Sequence, residues 1–315
     1  VTTYGKKNII QAQKFVENKG YRIYYGDTDS LYIAAPEYIF EEIDKQFYSD
    51  KITKLDYWTS MVNLTMKAIG NIRDEVNKMF TEDNGTHFLS MAYEEVLYPL
   101  LLGAKKKYYG IPHENVPNFK PDELFIKGFE VKKRGVAKLT RTIFTEIMWD
   151  SVNIDNLYDM FELVKAKFAY IYNTPWKIED FSQTGLYKKN KKNVKIKTFV
   201  SRMADKGIVV KPNERFSYVV VKKYPYKYSI RGTKTDLSVG DKIEFIETAE
   251  KENMNIDLDY YVQNSIIGQL ARLITYLDTF HVEPVDHTNK DEVKKAETKM
   301  FEKAKKYLKN YCKKY

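Results

Sequence analysis

Apolar residues recur along this chain with two periods, and the switches between them mark its elements. Ile9, Ala12 and Val16 share one helical face, and Thr3 is placed to cap a helix that ends at Gly20. Arg22 to Tyr25 and Leu31 to Ala34 are short β-rich runs. Between them, Gly26-Asp27-Thr28-Asp29-Ser30 has the turn formers of a hairpin. Pro36 opens a second helix with Phe40, Ile43 and Phe47 on one stripe, and a longer one is predicted from Tyr57 to Phe80. The pattern then turns β-like from Phe88 to Leu102, from Lys105 to Ile111 and from Leu124 to Lys132. This alternation predicts an α+β domain on an antiparallel sheet over residues 1–137.

Beyond Leu139 the helical period dominates. Helices are expected at Thr145 to Ser151, Leu157 to Ile171 and Asp257 to Leu277, and a basic one at Asp291 to Lys314 carries Met300, Ala304 and Leu308 at i, i+4 and i+8. Arg215 to Lys223, bounded by Pro212 and Pro225, reads as an alternating strand. The predicted second domain, residues 138–315, is therefore mostly helical.

Composition narrows the class. At 315 residues with 43% hydrophobic content the chain can bury a sizeable core. It has no run of about 18 apolar residues and no signal or transit pattern at VTTYGKKNII, so a soluble, intracellular protein without a membrane partner is expected. The first residue is Val1, which leads us to expect a piece of something longer. A single cysteine, Cys312, excludes an internal disulfide framework and a cysteine-based zinc module. His87, His113, His281 and His287 lack metal-ligand spacing and read as surface or satisfied core residues. Lys plus Arg number 52 against 43 acidic residues, a pI near 9.1, which suits a polyanionic partner. Lysines cluster at Lys105 to Lys107 and Lys132 to Arg134 within strand-like sequence, and in the open stretch YKKNKKNVKIK from Tyr187 to Lys197. The last of these is either a solvated loop or a phosphate track, and the terminal helix is either a basic surface helix or a contact for a clamp or helicase.

The candidate chemistry sits in YRIYYGDTDSLYI, Tyr21 to Ile33, where two aspartates lie one residue apart in one turn. Such charges repel and raise each other's pKa unless a cation or donors intervene. A divalent metal such as Mg²⁺ takes hard oxygen ligands and keeps waters and substrate phosphates in its shell. An Asx-type turn would also use these residues, as would the D-x-D site of a metal-dependent glycosyltransferase.

YGDTDS between apolar strands resembles motif C of the family B DNA polymerases. AYEEVLYPLLLGAKKKYYGI, Ala92 to Ile111, is similar to the family's palm strand and the basic-Tyr motif that grips primer–template. FIKGFEVKKRGVAKLTR, Phe125 to Arg141, resembles the segment that closes the palm, while KIKTFVSRMADKG (195–207), RFSYVVVKK (215–223) and IDLDYYVQNSIIGQLARL (256–273) resemble the thumb. VTTYGKKNII is similar to the helix that leaves the fingers, and the chain has lysine where the family favours arginine in its basic motifs, which gives up bidentate phosphate contacts. The composition points to a large DNA virus.

The resemblance implies an antiparallel polymerase palm over 1–137 followed by a thumb over 138–315. It implies nucleotidyl transfer from dNTP to a primer 3′-OH with two Mg²⁺ ions, at sites of DNA replication, in host cytoplasm or nucleus if viral. Asp29 is then the metal ligand, with Asp27 adding negative potential as a second metal-site carboxylate, and Glu94 matches the accessory palm carboxylate in a neighbouring strand. Tyr25, Gly26, Thr28 and Ser30 shape the turn; Lys105, Lys106, Lys107, Tyr108, Lys132, Lys133, Arg134, Lys195 and Arg202 contact DNA. The upstream aspartate, the fingers and the exonuclease have no counterpart, so the chain alone is expected to be inactive and to need an amino-terminal part, with a processivity factor as a further partner. A non-catalytic DNA-binding subunit of a split polymerase is the alternative; the KKKYYG and KGFEVKKR segments are what a glycosyltransferase has no use for.

Overall fold

The computed structural model describes residues 2–104, 106–129, 135–153, 159–189, 193–223, 226–228, 234–284, 286 and 288–315. Its contacts divide the chain into two compact units, Val1–Lys127 and Gly128–Tyr315.

In the first unit helix α1 (Thr2–Asn18) leads into an antiparallel hairpin, β1 (Arg22–Asp27) and β2 (Ser30–Ala34). The strands run further than their β-formers suggest: Asp27 pairs with Ser30, leaving a connection of only Thr28 and Asp29. After a 3₁₀ turn at Glu37–Ile39 come α2 (Glu41–Tyr48) and α3 (Lys54–Asn84). Thr53 starts α3 by accepting from the Asp56 amide at 3.1 Å, and Gly85 ends it with a left-handed φ of +66°. Ala12 and Val16 of α1 pack against Ile72, Val76 and Phe80 of α3, with Leu31 and Ile33 of the hairpin against them. Each fully buried Val or Phe contributes about 1.5–3 kcal/mol.

A three-stranded antiparallel sheet follows, β3 (Val96–Ala104), β4 (Lys107–His113) and β5 (Phe125–Lys127), in the order β3-β4-β5. Gly110 lets β4 approach β3: a Cβ there would lie 2.5 Å from the Pro99 carbonyl oxygen. The strand predicted from Phe88 begins instead at Val96. Asn77 of α3 takes the backbone of the intervening segment, accepting from the Met91 amide at 2.6 Å and donating to its carbonyl at 3.0 Å. The Met91 backbone groups are thus satisfied by a helix side chain rather than by a strand ladder.

The second unit contains α4 (Lys138–Ser151), α5 (Met160–Asn173), β6 (Gln183–Leu186), α6 (Val194–Asp205), β7 (Arg215–Val220), β8 (Tyr226–Tyr228), β9 (Lys234–Asp236), α7 (Val239–Lys242), β10 (Ile243–Phe245), α8 (Ile246–Lys251), α9 (Leu258–Tyr261), α10 (Ile267–Ile274) and α11 (Lys290–Tyr311). Its core is the buried faces of α4 (Leu139, Ile143, Ile147) and α5 (Val164, Phe168, Ile171). Strands β10, β7 and β6 form an antiparallel sheet in that order, so this unit is helical around a small sheet. The helix expected from Asp257 to Leu277 is one helical path with a π turn, Val262–Ile266, between α9 and α10. Ala296, Met300, Ala304 and Leu308 form the buried seam of α11, continued by Cys312, whose Sγ accepts from Gln263 at 3.1 Å. The overall class is the expected mixture of helices and antiparallel sheet.

Candidate active site

The β1–β2 hairpin tip is built by short local bonds. Thr28 takes a φ of +23° and donates its hydroxyl to Asp27 at 3.3 Å, and the Ser30 hydroxyl donates to the Asp27 carbonyl at 3.5 Å. A two-residue hairpin loop needs a positive φ, and here Thr28 bears it. Gly26, expected to free the turn, lies within β1 opposite Leu31, where an added Cβ would make ordinary contact with Leu31 Cδ2 at 3.4 Å.

The two aspartates have different surroundings. Asp27 is half-buried, and the Lys106 ammonium lies 3.1 Å from its Oδ1. That bond holds the Asp27 carboxyl below the usual carboxylate range, and it raises the pKa of Lys106. Asp29 is exposed, and among the described residues nothing hydrogen-bonds or ion-pairs with its carboxylate. The cation demanded by two adjacent carboxylates is thus supplied on one side by the chain itself.

Lys106 reaches the turn because the β3–β4 connection returns over the hairpin. Ala104 pairs with Lys107, so the link is residues 105 and 106, and Lys106 adopts a left-handed φ of +61°. Its amide donates to the Tyr25 hydroxyl at 3.1 Å. Tyr25, Tyr32 and Tyr108 form a three-ring cluster with centroids 5.1–5.6 Å apart, and the Tyr32 and Tyr108 hydroxyls are hydrogen-bonded at 2.8 Å. Burial, with the Tyr108 hydrogen bond, pushes the Tyr32 hydroxyl pKa well up. Tyr108, expected to touch DNA, is 6% exposed and also stacks on Phe125. The structure thus places this residue's ring in the packing that joins the two sheets of the unit. Lys107 opens β4 and is half-buried.

Glu94 is exposed, in the irregular segment before β3 rather than in a strand. It and Asp29 line the same cavity of about 1030 Å³, whose other walls include Ala12, Leu31, Ile33, Ile72 and Phe80. Burial, then the neighbouring charges of Glu94 and Glu114, raise the carboxyl pKa of Glu95 beside it, against the pull of Lys127. Among the described residues no three His, Cys, Asp or Glu side chains are grouped to hold a metal. Asp29 and Glu94 are hard oxygen donors of the kind Mg²⁺ accepts, in a number that leaves most of its shell to other ligands.

In the second unit Lys195 is exposed near the start of α6. Arg202 is not a free cation: it donates to Glu244 at 2.7 Å and to the Ile243 carbonyl, and Lys223 also bonds Glu244. Burial alone would raise the Glu244 pKa, but Lys223 and Arg202 outweigh it and hold the carboxyl below the usual range. The structure thus places Arg202, an expected DNA contact, in a half-buried ionic clamp around the buried Glu244 carboxylate. Lys105, Lys132, Lys133 and Arg134 lie outside the described residues. His113 is a satisfied core histidine: Nδ1 accepts from the Asn118 amide at 2.9 Å and Nε2 donates to the Tyr98 carbonyl at 2.8 Å.

Tyr32, Asn77 and Glu95 join the site without a sequence motif that marks them. Tyr32 alone left a signal, since Tyr25 and Tyr32 flank the turn and become cross-strand partners.

Three comparisons bear on this site. The family model for DNA polymerase family B matches residues 58–277. A protein named "DNA polymerase beta" from African swine fever virus is 39% identical over 325 residues, covering 96% of this chain and 27% of its own length. One named "DNA polymerase" from Pyramimonas orientalis virus is 24% identical over 280 residues, 87% of this chain and 21% of its own. The family B DNA polymerase of the archaeon Pyrobaculum calidifontis shares the fold, with a TM-score of 0.54 at 14% identity over 88% of this chain and 29% of that one. The chain thus spans about a quarter of the length of these two viral relatives.

Proposed function

The chain belongs to DNA polymerase family B, and from that premise we propose that it carries the motif C side of a DNA-directed DNA polymerase centre, with palm over 1–137 and thumb over 138–315. Its substrates are primer–template DNA and dNTP. Its partners are the amino-terminal part of the enzyme, which brings the remaining catalytic groups, and a processivity factor, at sites of DNA replication in a host cell.

The unequal environment of the two aspartates carries this reading. Asp29 stands exposed at the hairpin tip, its carboxylate unengaged among the described residues, on the cavity that Glu94 also lines, whereas Asp27 is occupied by Lys106. Asp29, with Glu94 as accessory carboxylate, would hold Mg²⁺; when bound, two such ions supply charge neutralisation at the transferring phosphate and favour the deprotonated primer 3′-oxygen. Asp27 keeps the hairpin tip in register with the β3–β4 connection. Lys106 and Lys107 set positive charge next to the turn, where the last phosphates of a primer would lie, and Lys105, Lys132, Lys133, Arg134 and Lys195 are further candidates for duplex contact. Such contacts orient the duplex without reading its sequence, as a replicative enzyme requires. No helix among the described residues is long and apolar enough to cross a membrane.

Primer extension with Mg²⁺, by the chain joined to its amino-terminal part, tests the proposal. Asp29→Asn should lower incorporation at saturating DNA by more than about a hundredfold, the scale for loss of a key electrostatic stabiliser. Asp27→Asn at saturating DNA should do less. An Asp29→Asn enzyme that extends like its parent would place the metal elsewhere and end this reading.

A further inference from the structure

The turn between β3 and β4 contains a residue held from three directions. Lys106 is not glycine, yet its φ is +61°. Its amide donates to the Tyr25 hydroxyl at 3.1 Å, and its ammonium lies 3.1 Å from Asp27 Oδ1. Both partners belong to the YGDTDS hairpin, and Tyr25 is itself fixed by the rings of Tyr32 and Tyr108, at 5.6 and 5.5 Å between centroids.

Stability does not explain this arrangement. A left-handed backbone costs a side-chain-bearing residue energy. An ion pair whose side chains are 60% and 31% exposed returns little of it, because water screens the pair. What the three constraints do achieve is to fix the backbone from which Lys106 departs and to direct its ammonium toward the turn that bears Asp29. An ammonium has three donor hydrogens; Asp27 takes one, and two remain for oxygen acceptors of another molecule. The contact with Asp27 biases the side chain toward this position, so an acceptor that binds there has less of it left to order.

We propose that Asp27 and Tyr25 are positioning residues that act through Lys106, presenting its ammonium to a backbone phosphate of the primer strand next to the Asp29 turn. This rests on the polymerase reading and assigns Asp27 a task distinct from metal binding. The sign of one effect separates the two possibilities. Were Asp27 only a local negative charge, neutralising it would reduce repulsion and tighten DNA binding. As the anchor of Lys106, its loss frees a flexible lysine and weakens binding.

The test is fluorescence anisotropy of a labelled primer–template duplex with the full 315-residue chain, comparing Asp27→Asn, Tyr25→Phe, Lys106→Gly and the double variant Asp27→Asn/Lys106→Gly. Glycine suits a φ of +61°, so Lys106→Gly removes the ammonium while easing the turn. It should melt at or above the parent temperature, bind DNA about tenfold more weakly, and flatten the slope of log K against log salt by about 0.9. Asp27→Asn and Tyr25→Phe should each weaken binding several-fold. The double variant should bind no more weakly than Lys106→Gly, because the anchor has no effect without the residue it anchors. Equal or tighter binding by Asp27→Asn, or losses that multiply in the double variant, overturns the inference and leaves the polymerase reading standing. A parent chain that does not bind the duplex at all refutes both.

Discussion

Arg202→Met probes a residue whose sequence context and tertiary setting point in opposite directions. The guanidinium donates to Glu244 at 2.7 Å and to the Ile243 carbonyl, while Glu244 is 1% exposed and also bonds Lys223. Methionine keeps an apolar stem near the Phe199 ring, from which the Arg202 guanidinium carbon lies 5.7 Å, and removes only the charge and its donors. Taking one partner from a buried ion pair costs about 3–5 kcal/mol, since the other charge is left in a poorly solvated site. Here Lys223 stays on Glu244 and the Arg202 side chain is 22% exposed, so about 2–3 kcal/mol is expected. For a unit of this size each kcal/mol moves the melting temperature by about 2–4 °C, giving a fall of about 4–12 °C. Calorimetry reads that shift, and a salt titration of duplex affinity on the folded variant reads the other side: its log–log slope should match the parent. A variant that melts within about 1 °C of the parent, while its salt slope flattens by about 0.9, would show that Arg202 faces phosphate and that the clamp argument is wrong.

Two further outcomes follow from the first unit. Burial lowers the pKa of His113 from 6.5, so the folded form keeps the ring neutral while the unfolded chain takes up a proton. The stability this contributes is complete above about pH 6.5 and declines as pH falls toward the folded pKa, by up to about 1.4 kcal/mol per pH unit; denaturant melts between pH 6.5 and 5.5 should show the decline in the parent and lose it in His113→Gln, and an unchanged slope in the variant would assign it to other groups. Tyr32→Phe deletes one side of the 2.8 Å hydroxyl pair with Tyr108 and should lower urea stability by about 1 kcal/mol, whereas no change would mean the two hydroxyls are equally well served by water.

Much of this protein is local and therefore legible in its order of residues. Thr53 and Gly85 bound α3 because a hydroxyl cap and a left-handed stop act on the chain within three or four residues of themselves. The four-residue recurrence of Ile72, Val76 and Phe80, and of Met300, Ala304 and Leu308, sets the buried faces by helical geometry alone. The hairpin around Asp27 and Asp29 is marked by strand formers on either side of turn formers, and the family resemblance rests on that same string. The identity of the two aspartates as a pair was visible; their inequality was not. It depends on Lys106, 79 positions along from Asp27, reaching back across a second sheet, and no spacing rule predicts which lysine of three arrives. Tyr108 and Arg202 have the chemistry of DNA contacts, but whether an aromatic hydroxyl or a guanidinium faces solvent is decided by what packs against it, here Tyr32 and Glu244. The segment before Val96 has strand-forming residues and makes no strand; at Met91 its backbone bonds the Asn77 side chain of α3 instead of a neighbouring strand. Periodicity and caps are properties of neighbours along the chain, while the partner of a charge or a hydroxyl is chosen by burial and by distance in space.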